Sequence, residues 1–85
     1  MTELPRRVLG NTGLEISVLG FGSLELRGIV AGVGRSIDET RAETILNQVL
    51  DSGINYIDTS VDYGDSEKRI GKFISARRSE FILAT

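Results

Sequence analysis

Neither cysteine nor histidine occurs among the 85 residues of the chain. The lack of cysteine excludes disulfide bonds and thiolate metal sites within this sequence. The lack of histidine removes the commonest metal ligand and the commonest general base, so acid–base chemistry here must use other side chains. Ten Lys+Arg against 12 Asp+Glu leave the chain nearly neutral, which gives no electrostatic basis for binding nucleic acid.

Long apolar runs are missing as well. No segment approaches the roughly 18 apolar residues of a membrane span, and residues 1–7 lack the apolar stretch of a secretory signal. We therefore expect a cytoplasmic protein that has no contact with membranes or nucleic acid. A hydrophobic content of 40% and a charged content of 26% are ordinary for a folded globular chain.

The order of apolar patterns predicts an α/β fold. Two short apolar runs over residues 6–18 flank a Gly-Asn-Thr-Gly turn and predict a β-hairpin. Residues 18–22 form an apolar run without alternation, which is typical of a strand covered on both faces. β-Branched and aromatic runs at 54–59 and 81–85 predict two more strands, and residues 23–35 predict a long loop.

Two helices separate these strands. A one-sided apolar stripe predicts the first helix over residues 36–52, with Ser36 and Glu39 as a capping box and Gly53 as its stop. The second is predicted over residues 66–77, with acidic residues near its start and arginines near its end. Strands that alternate with helices favour a parallel sheet built of right-handed βαβ units.

The glycines do not complete a phosphate-binding motif. Gly20-Phe21-Gly22 follows a strand, but Glu25 stands where the dinucleotide-binding fingerprint needs a third glycine. Gly71-Lys72 resembles the end of a P-loop, but a serine and a phenylalanine replace its first glycine and its final Ser/Thr. Close backbone packing at a strand end is the alternative explanation for Gly20 and Gly22.

Residues 56–67, Tyr-Ile-Asp-Thr-Ser-Val-Asp-Tyr-Gly-Asp-Ser-Glu, carry the clearest chemical signal. Asp58 falls at the carboxyl end of a strand and Tyr63 in the turn that follows, and active sites of (β/α) barrels are built at that edge. A tyrosine hydroxyl is a weak acid, with an ordinary pKa of about 10, and a cation held nearby by a carboxylate makes it a stronger one. Alternatively, Asp58 could cap the next turn and Tyr63 could simply pack with its hydroxyl exposed.

Acidic side chains cluster after this strand. Asp62, Asp65 and Glu67 could suggest a site for a hard metal ion. Capping and the positive end of the second helix explain the same residues without a ligand. We therefore expect no metal site.

Several of these segments together resemble the aldo-keto reductase family. Residues 7–17 are similar to the family's N-terminal hairpin, and residues 19–23 to its first barrel strand and loop. The Asp-Thr-Ser, Tyr-Gly and Ser-Glu groups between residues 58 and 67 resemble its second strand and catalytic loop, and Ile70-Gly71 continues the match. The resemblance covers nearly the whole chain except the 23–35 loop.

The resemblance implies both a TIM-barrel fold and an enzymatic activity. The fold is an N-terminal hairpin followed by the first β-α-β-α-β units of a (β/α)8 barrel, incomplete in this chain, with residues 1–85 as the N-terminal part of one domain. The implied activity is reduction of an aldehyde or ketone by NADPH, or the reverse oxidation of an alcohol. Asp58 and Tyr63 match the family's catalytic pair; Gly22, Ser23 and Asp58 match its cofactor-binding positions.

The resemblance also implies residues that this sequence does not supply. The family's catalytic lysine ends the third strand, where Thr85 is the last residue, and its catalytic histidine has no counterpart. An isolated barrel portion of this size would have unpaired strand edges, so we expect it to be marginally stable or to self-associate. The alternative function is a non-catalytic truncated barrel that acts as an interaction or nucleotide-sensing module, and the substrate cannot be read from the sequence.

Overall fold

The hairpin is the first element of the computed structural model, which describes residues 4–23, 26 and 37–85. Strands β1 (Arg6–Val8) and β2 (Glu15–Ser17) pair antiparallel, with Arg7 opposite Ile16. Gly10 and Gly13 have φ angles of 52° and 76°, which side chains with a Cβ rarely adopt. The prediction of a hairpin with a glycine-dependent turn is confirmed.

A three-stranded parallel sheet follows in the order β3-β4-β5. Its strands are β3 (Phe21–Gly22), β4 (Tyr56–Asp58) and β5 (Ile82–Ala84), each inside a range that the sequence predicts. Residues Val18 and Leu19, which we expected to be covered on both faces, are 52% and 55% exposed. That expectation was wrong for them because β3 begins only at Phe21 and, within the part of the chain that the structure describes, pairs with β4 alone.

Helix α1 (Glu39–Asp51) connects β3 to β4 and begins later than predicted. Asp38 is the N-cap, and its Oδ1 accepts a 2.8 Å hydrogen bond from the backbone N–H of Arg41. Asp38 therefore satisfies one of the free N–H groups of the first turn, and the predicted cap Ser36 lies outside the described residues. Most of the predicted 23–35 loop lies outside them too. At the other end Gly53 has a φ of 97°, which confirms it as the stop.

Helix α2 (Ser66–Ile74) connects β4 to β5 and ends three residues before the predicted limit. A 3-10 helix continues over Ser75–Glu80, and within it Arg77 leaves helical geometry at φ −107° and ψ 24°. The Arg77 guanidinium lies 2.8 Å from Asp51 and 2.7 Å from Glu80. The hydrogen bond from Arg77 lowers the pKa of the Glu80 carboxyl, so this ion pair fixes the chain as it turns from α2 into β5.

The core lies between the sheet and the two helices. Leu46 of α1, Ile57 of β4 and Ile74 of α2 are completely buried. The same cluster contains Leu26, Ala42, Leu50, Ile70 and Phe81. The α1 residues of this cluster belong to the apolar stripe that the sequence predicts. No helix among the described residues is long and apolar enough to span a membrane.

A polar contact on the surface of this core joins the two helices. Arg69 of α2 is only 7% exposed, and its Nε donates a 2.7 Å hydrogen bond to Glu39 at the start of α1. Lys72 donates to the other Glu39 oxygen at 3.2 Å. The hydrogen bond from Lys72, assisted by Arg69, lowers the pKa of Glu39 below its ordinary value of 4.5. Glu39 therefore neutralises a largely buried guanidinium.

Asn55 fastens the hairpin to the sheet. Its Oδ1 accepts from the backbone N–H of Ser17 at 2.6 Å, and its Nδ2 donates to the carbonyl of Glu15 at 2.9 Å. Its own backbone N–H donates to Ser17 Oγ at 3.1 Å. Asn55 and Ser17 are 8% and 2% exposed, so the hairpin is held by buried polar bonds at the amino end of β4.

Candidate active site

Asp58 is the last residue of β4 and is exposed. It lies opposite Gly22 of β3 on one side and Ala84 of β5 on the other. The sheet is parallel, so the carboxyl ends of all three strands meet at this edge, where barrel enzymes build their sites. The structure therefore places the predicted carboxylate between two neighbouring strand ends and in contact with solvent.

Tyr63 lies in the turn between β4 and α2 and is half-buried. Its backbone N–H donates to the carbonyl of Ser60 at 3.0 Å, and its carbonyl accepts from the N–H of Ser66, also at 3.0 Å. Gly64 follows with a φ of 54°, which a residue without a Cβ adopts at little cost. Two hydrogen bonds and a glycine thus define the turn that carries the phenol.

Three buried hydroxyls lie beneath this turn. Ser23 and Ser66 are completely buried and Thr59 is 3% exposed. Ser66 Oγ lies 2.7 Å from Ser23 Oγ and 3.0 Å from Thr59 Oγ1. The Ser23 hydroxyl donates to the carbonyl of Asp58 at 2.8 Å, and the Ser23 N–H donates to the same carbonyl at 2.9 Å. These contacts fix the backbone of Asp58.

The two glycines of the 20–22 segment differ in their surroundings. A Cβ on Gly20 would lie 3.0 Å from Cδ2 of Tyr56 and 3.4 Å from its carbonyl oxygen, as the packing explanation requires. A Cβ on Gly22 would meet nothing within 4 Å, and Gly22 is exposed. Packing therefore accounts for Gly20, whereas a side chain at Gly22 would have open space.

The acidic residues of the turn are spread rather than gathered. Asp65 occupies the N-cap position of α2 without a side-chain capping bond, and Glu67 accepts a 2.7 Å hydrogen bond from Thr85. The backbone N–H of Asp62 donates to Ser60 Oγ. Within residues 4–23, 26 and 37–85 no group of three or more acidic, histidine or cysteine side chains could hold a metal ion.

A separate cleft of about 520 Å³ lies near the amino ends of β4 and β5, where Glu15, Asn55 and Phe81 contribute to its wall. Neither Asp58 nor Tyr63 lines it. We assign the site from the strand ends rather than from this cleft, because the chemically competent side chains lie at the carboxyl edge.

The sequence predicts Asp58, Tyr63 and Ser23 as candidate site residues, but it does not predict the hydrogen bonds among the buried hydroxyls. Thr59 and Ser66 belong to the segment that resembles the family, without a role of their own. Thr59 and Ser66 have only polar neighbours in the sequence, so no local pattern predicts that they are buried. Ser66 contacts Thr59 and also Ser23, which is 43 residues away in sequence, so only the fold reveals these contacts.

Comparison with known proteins agrees with this architecture. The model of the Aldo/keto reductase family matches residues 18–85. The chain belongs to the aldo/keto reductase family.

Two of the relatives that the chain is similar to are named as dehydrogenases. The chain is 40% identical over 90 residues to an L-galactose dehydrogenase of Arabidopsis thaliana, and covers 27% of that protein. It is 37% identical over 76 residues to a D-threo-aldose 1-dehydrogenase of a Pseudomonas species, with 86% of this chain and 22% of the relative covered. A solved aldo-keto reductase from Pseudomonas aeruginosa superposes with a TM-score of 0.79 at 37% identity, over 92% of this chain.

These matches define the extent of the fold. The chain spans about a quarter of the length of the curated relatives and 31% of the solved structure. The hairpin and the three parallel strands therefore correspond to part of a TIM barrel, as predicted. Family membership supports an oxidoreductase role.

Proposed function

We propose that residues 1–85 are the first part of a single barrel domain that interconverts an aldehyde or ketone with an alcohol, using NADP(H). One structural observation carries the proposal, together with family membership. Asp58 stands exposed at the carboxyl end of β4, beside the open backbone of Gly22, immediately before the anchored turn that carries Tyr63.

Tyr63 is the proposed proton donor to the carbonyl oxygen during reduction, and the acceptor of that proton in the reverse reaction. Tyr63 is half-buried, and hydrogen bonds of its own backbone N–H and carbonyl hold the residue at a defined place in the turn. A defined position is what acid–base catalysis needs, since proton transfer requires hydrogen-bond distance to the reacting oxygen.

Asp58 is proposed to hold a cation that strengthens this acid. The resemblance to the family implies that this cation is a lysine at the end of the third barrel strand. Strand β5 is the third barrel strand here, and it lies beside β4 with Ala84 opposite Asp58. A lysine that follows β5 in the complete barrel would therefore approach the Asp58 carboxylate, and a cation close to a phenol favours its ionised form.

The residues at the edge of β3 are compatible with a nicotinamide cofactor, which supplies the hydride when it is bound. The Gly22 backbone is exposed and free of neighbours within 4 Å of where a Cβ would stand, so a flat ring can approach it. Ser23 is completely buried, and its hydroxyl already donates to the Asp58 carbonyl. We therefore propose that Gly22 and Asp58 border the cofactor, whereas Ser23 supports this edge from below.

The proposal is tested by turnover of the intact polypeptide that contains these residues. The substrates are aldoses and pyridoxal, after the names of relatives, together with simple aldehydes, each with NADP(H) and NAD(H). We expect cofactor-dependent turnover of at least one pair, with NADP(H) preferred. Cofactor binding without turnover of any carbonyl or alcohol would favour the nucleotide-sensing alternative, and absence of both binding and turnover would contradict the proposal.

A further inference from the structure

The hydroxyls of Ser23, Thr59 and Ser66 form one connected chain of hydrogen bonds. The Ser23 hydroxyl donates to the Asp58 carbonyl, so its oxygen is free to accept. The single hydroxyl proton of Ser66 is directed at Ser23, whose Oγ and carbonyl oxygen lie 2.7 and 2.9 Å away. Thr59 then serves as the donor to Ser66 Oγ at 3.0 Å. Each of these three buried hydroxyl protons therefore has an acceptor.

Ser66 is the residue that joins this chain of hydrogen bonds to the turn between β4 and α2. Its backbone N–H donates to the carbonyl of Tyr63, and its side chain reaches the end of β3 and the end of β4. The turn has few other attachments: Val61 is 77% exposed, and the bonds of Ser60 go to Asp62 and Tyr63 within the turn itself. Ser66 therefore links the backbone of Tyr63, through Ser23, to the backbone of Asp58.

We propose that Ser66 is a positioning residue of the reaction, one that holds the Tyr63 turn at a fixed place relative to Asp58. The inference rests on the proposed function, since it assigns Ser66 a part in the same site. Ser66 is completely buried, so its effect on the reaction must pass through the turn. A displacement of a reacting group by about 1 Å can reduce a rate by about 100-fold.

The test compares two buried serines at opposite ends of the sheet. Ser66→Ala removes the central hydroxyl at the carboxyl end. Ser17→Ala is the matched control, because Ser17 is 2% exposed and its hydroxyl also makes two hydrogen bonds, to Leu19 and from Asn55. Both variants are made in the intact polypeptide, and kcat, KM and thermal stability are measured for each.

We expect both substitutions to lower thermal stability to a similar extent, because each leaves buried polar groups unpaired. Ser66→Ala should in addition lower kcat by about 10- to 100-fold, with KM changed less than about threefold. Ser17→Ala should leave kcat near the wild-type value. Thr59→Val removes only the outer hydroxyl of the chain and should produce a smaller loss of kcat, which keeps the test informative if Ser66→Ala fails to fold.

Amide hydrogen exchange of residues 59–66 gives a second readout that does not depend on activity. We expect faster exchange there in Ser66→Ala and unchanged exchange in Ser17→Ala. Equal kcat values for the two variants, or unchanged exchange in the turn, would overturn the positioning role.

Failure of the proposed function is visible separately. Wild-type turnover that Tyr63→Phe abolishes supports the function whatever Ser66→Ala does. A wild-type polypeptide without turnover contradicts the function and, with it, a role for Ser66 in catalysis.

Discussion

Removing the side chain of Asn55 should weaken the protein without disturbing the candidate site. Asn55→Ala deletes the acceptor for the buried N–H of Ser17 and the donor to the carbonyl of Glu15. An unsatisfied buried donor costs about 1–3 kcal/mol, and loss of the second bond, next to the exposed Glu15, costs about 1 kcal/mol. We therefore expect the free energy of unfolding to fall by about 2–4 kcal/mol.

Urea denaturation of the intact polypeptide measures this change, as a lower transition midpoint with an unchanged slope. Asn11→Ala is the control, because Asn11 is an exposed asparagine of the hairpin turn, and it should change stability by less than about 0.5 kcal/mol. Because Asn55 lies at the amino end of β4, the kcat of Asn55→Ala should match wild type below the transition. A stability loss no larger than that of Asn11→Ala would refute the assignment of Asn55 as the attachment of the hairpin.

Three further predictions concern the core, a turn and an ion pair. Leu46→Ala should lower the free energy of unfolding by about 2–5 kcal/mol, measured by chemical denaturation. Ile45 is half-buried, so Ile45→Ala should lower it by clearly less. Equal losses for the two variants would contradict the described core. Gly53→Ala should lower the free energy of unfolding by about 1–2 kcal/mol because φ is positive there. Gly71→Ala should raise it by about 0.5–1 kcal/mol, because the added Cβ on α2 would meet no neighbouring atom within 4 Å. Thermal melts of the two variants test these opposite changes. Glu39 has a lowered pKa, so the stability it contributes is present above its ordinary value of 4.5 and is lost as pH falls through the lowered value. The melting-temperature gap between wild type and Glu39→Gln should therefore close on acidification, and a gap independent of pH would contradict the pairing.

Much of the secondary structure could be predicted because its signals are local. The turn at residues 10–13, the apolar stripe of α1 and the stop at Gly53 each depend on a few neighbouring residues, and the structure contains all three. The ends of elements were less predictable. Helix α2 ends early at Ile74, which has φ −129° and ψ 14°. Arg77 beyond it pairs with Asp51, and this pairing between residues distant in sequence has no local signature.

The candidate site was predictable in part for the same reason. Asp58 and Tyr63 lie within one short segment whose pattern resembles a known family, so the sequence could point to both. Ser23 and Ser66 come together only when β3 lies beside β4, across 43 residues of sequence. The attachment of the hairpin by Asn55 likewise spans 38 residues, and an asparagine inside an apolar run does not reveal its partner.

We propose that Tyr63 transfers the proton in a cofactor-dependent carbonyl reduction. Steady-state kcat for the wild-type intact polypeptide and for Tyr63→Phe, with the dissociation constant of NADPH measured for both, tests it directly. We expect the phenylalanine variant to bind NADPH as wild type does but to lose at least about 100-fold in kcat, the lower range for a positioned acid–base group. Wild-type kcat in Tyr63→Phe, with cofactor affinity unchanged, would contradict the claim.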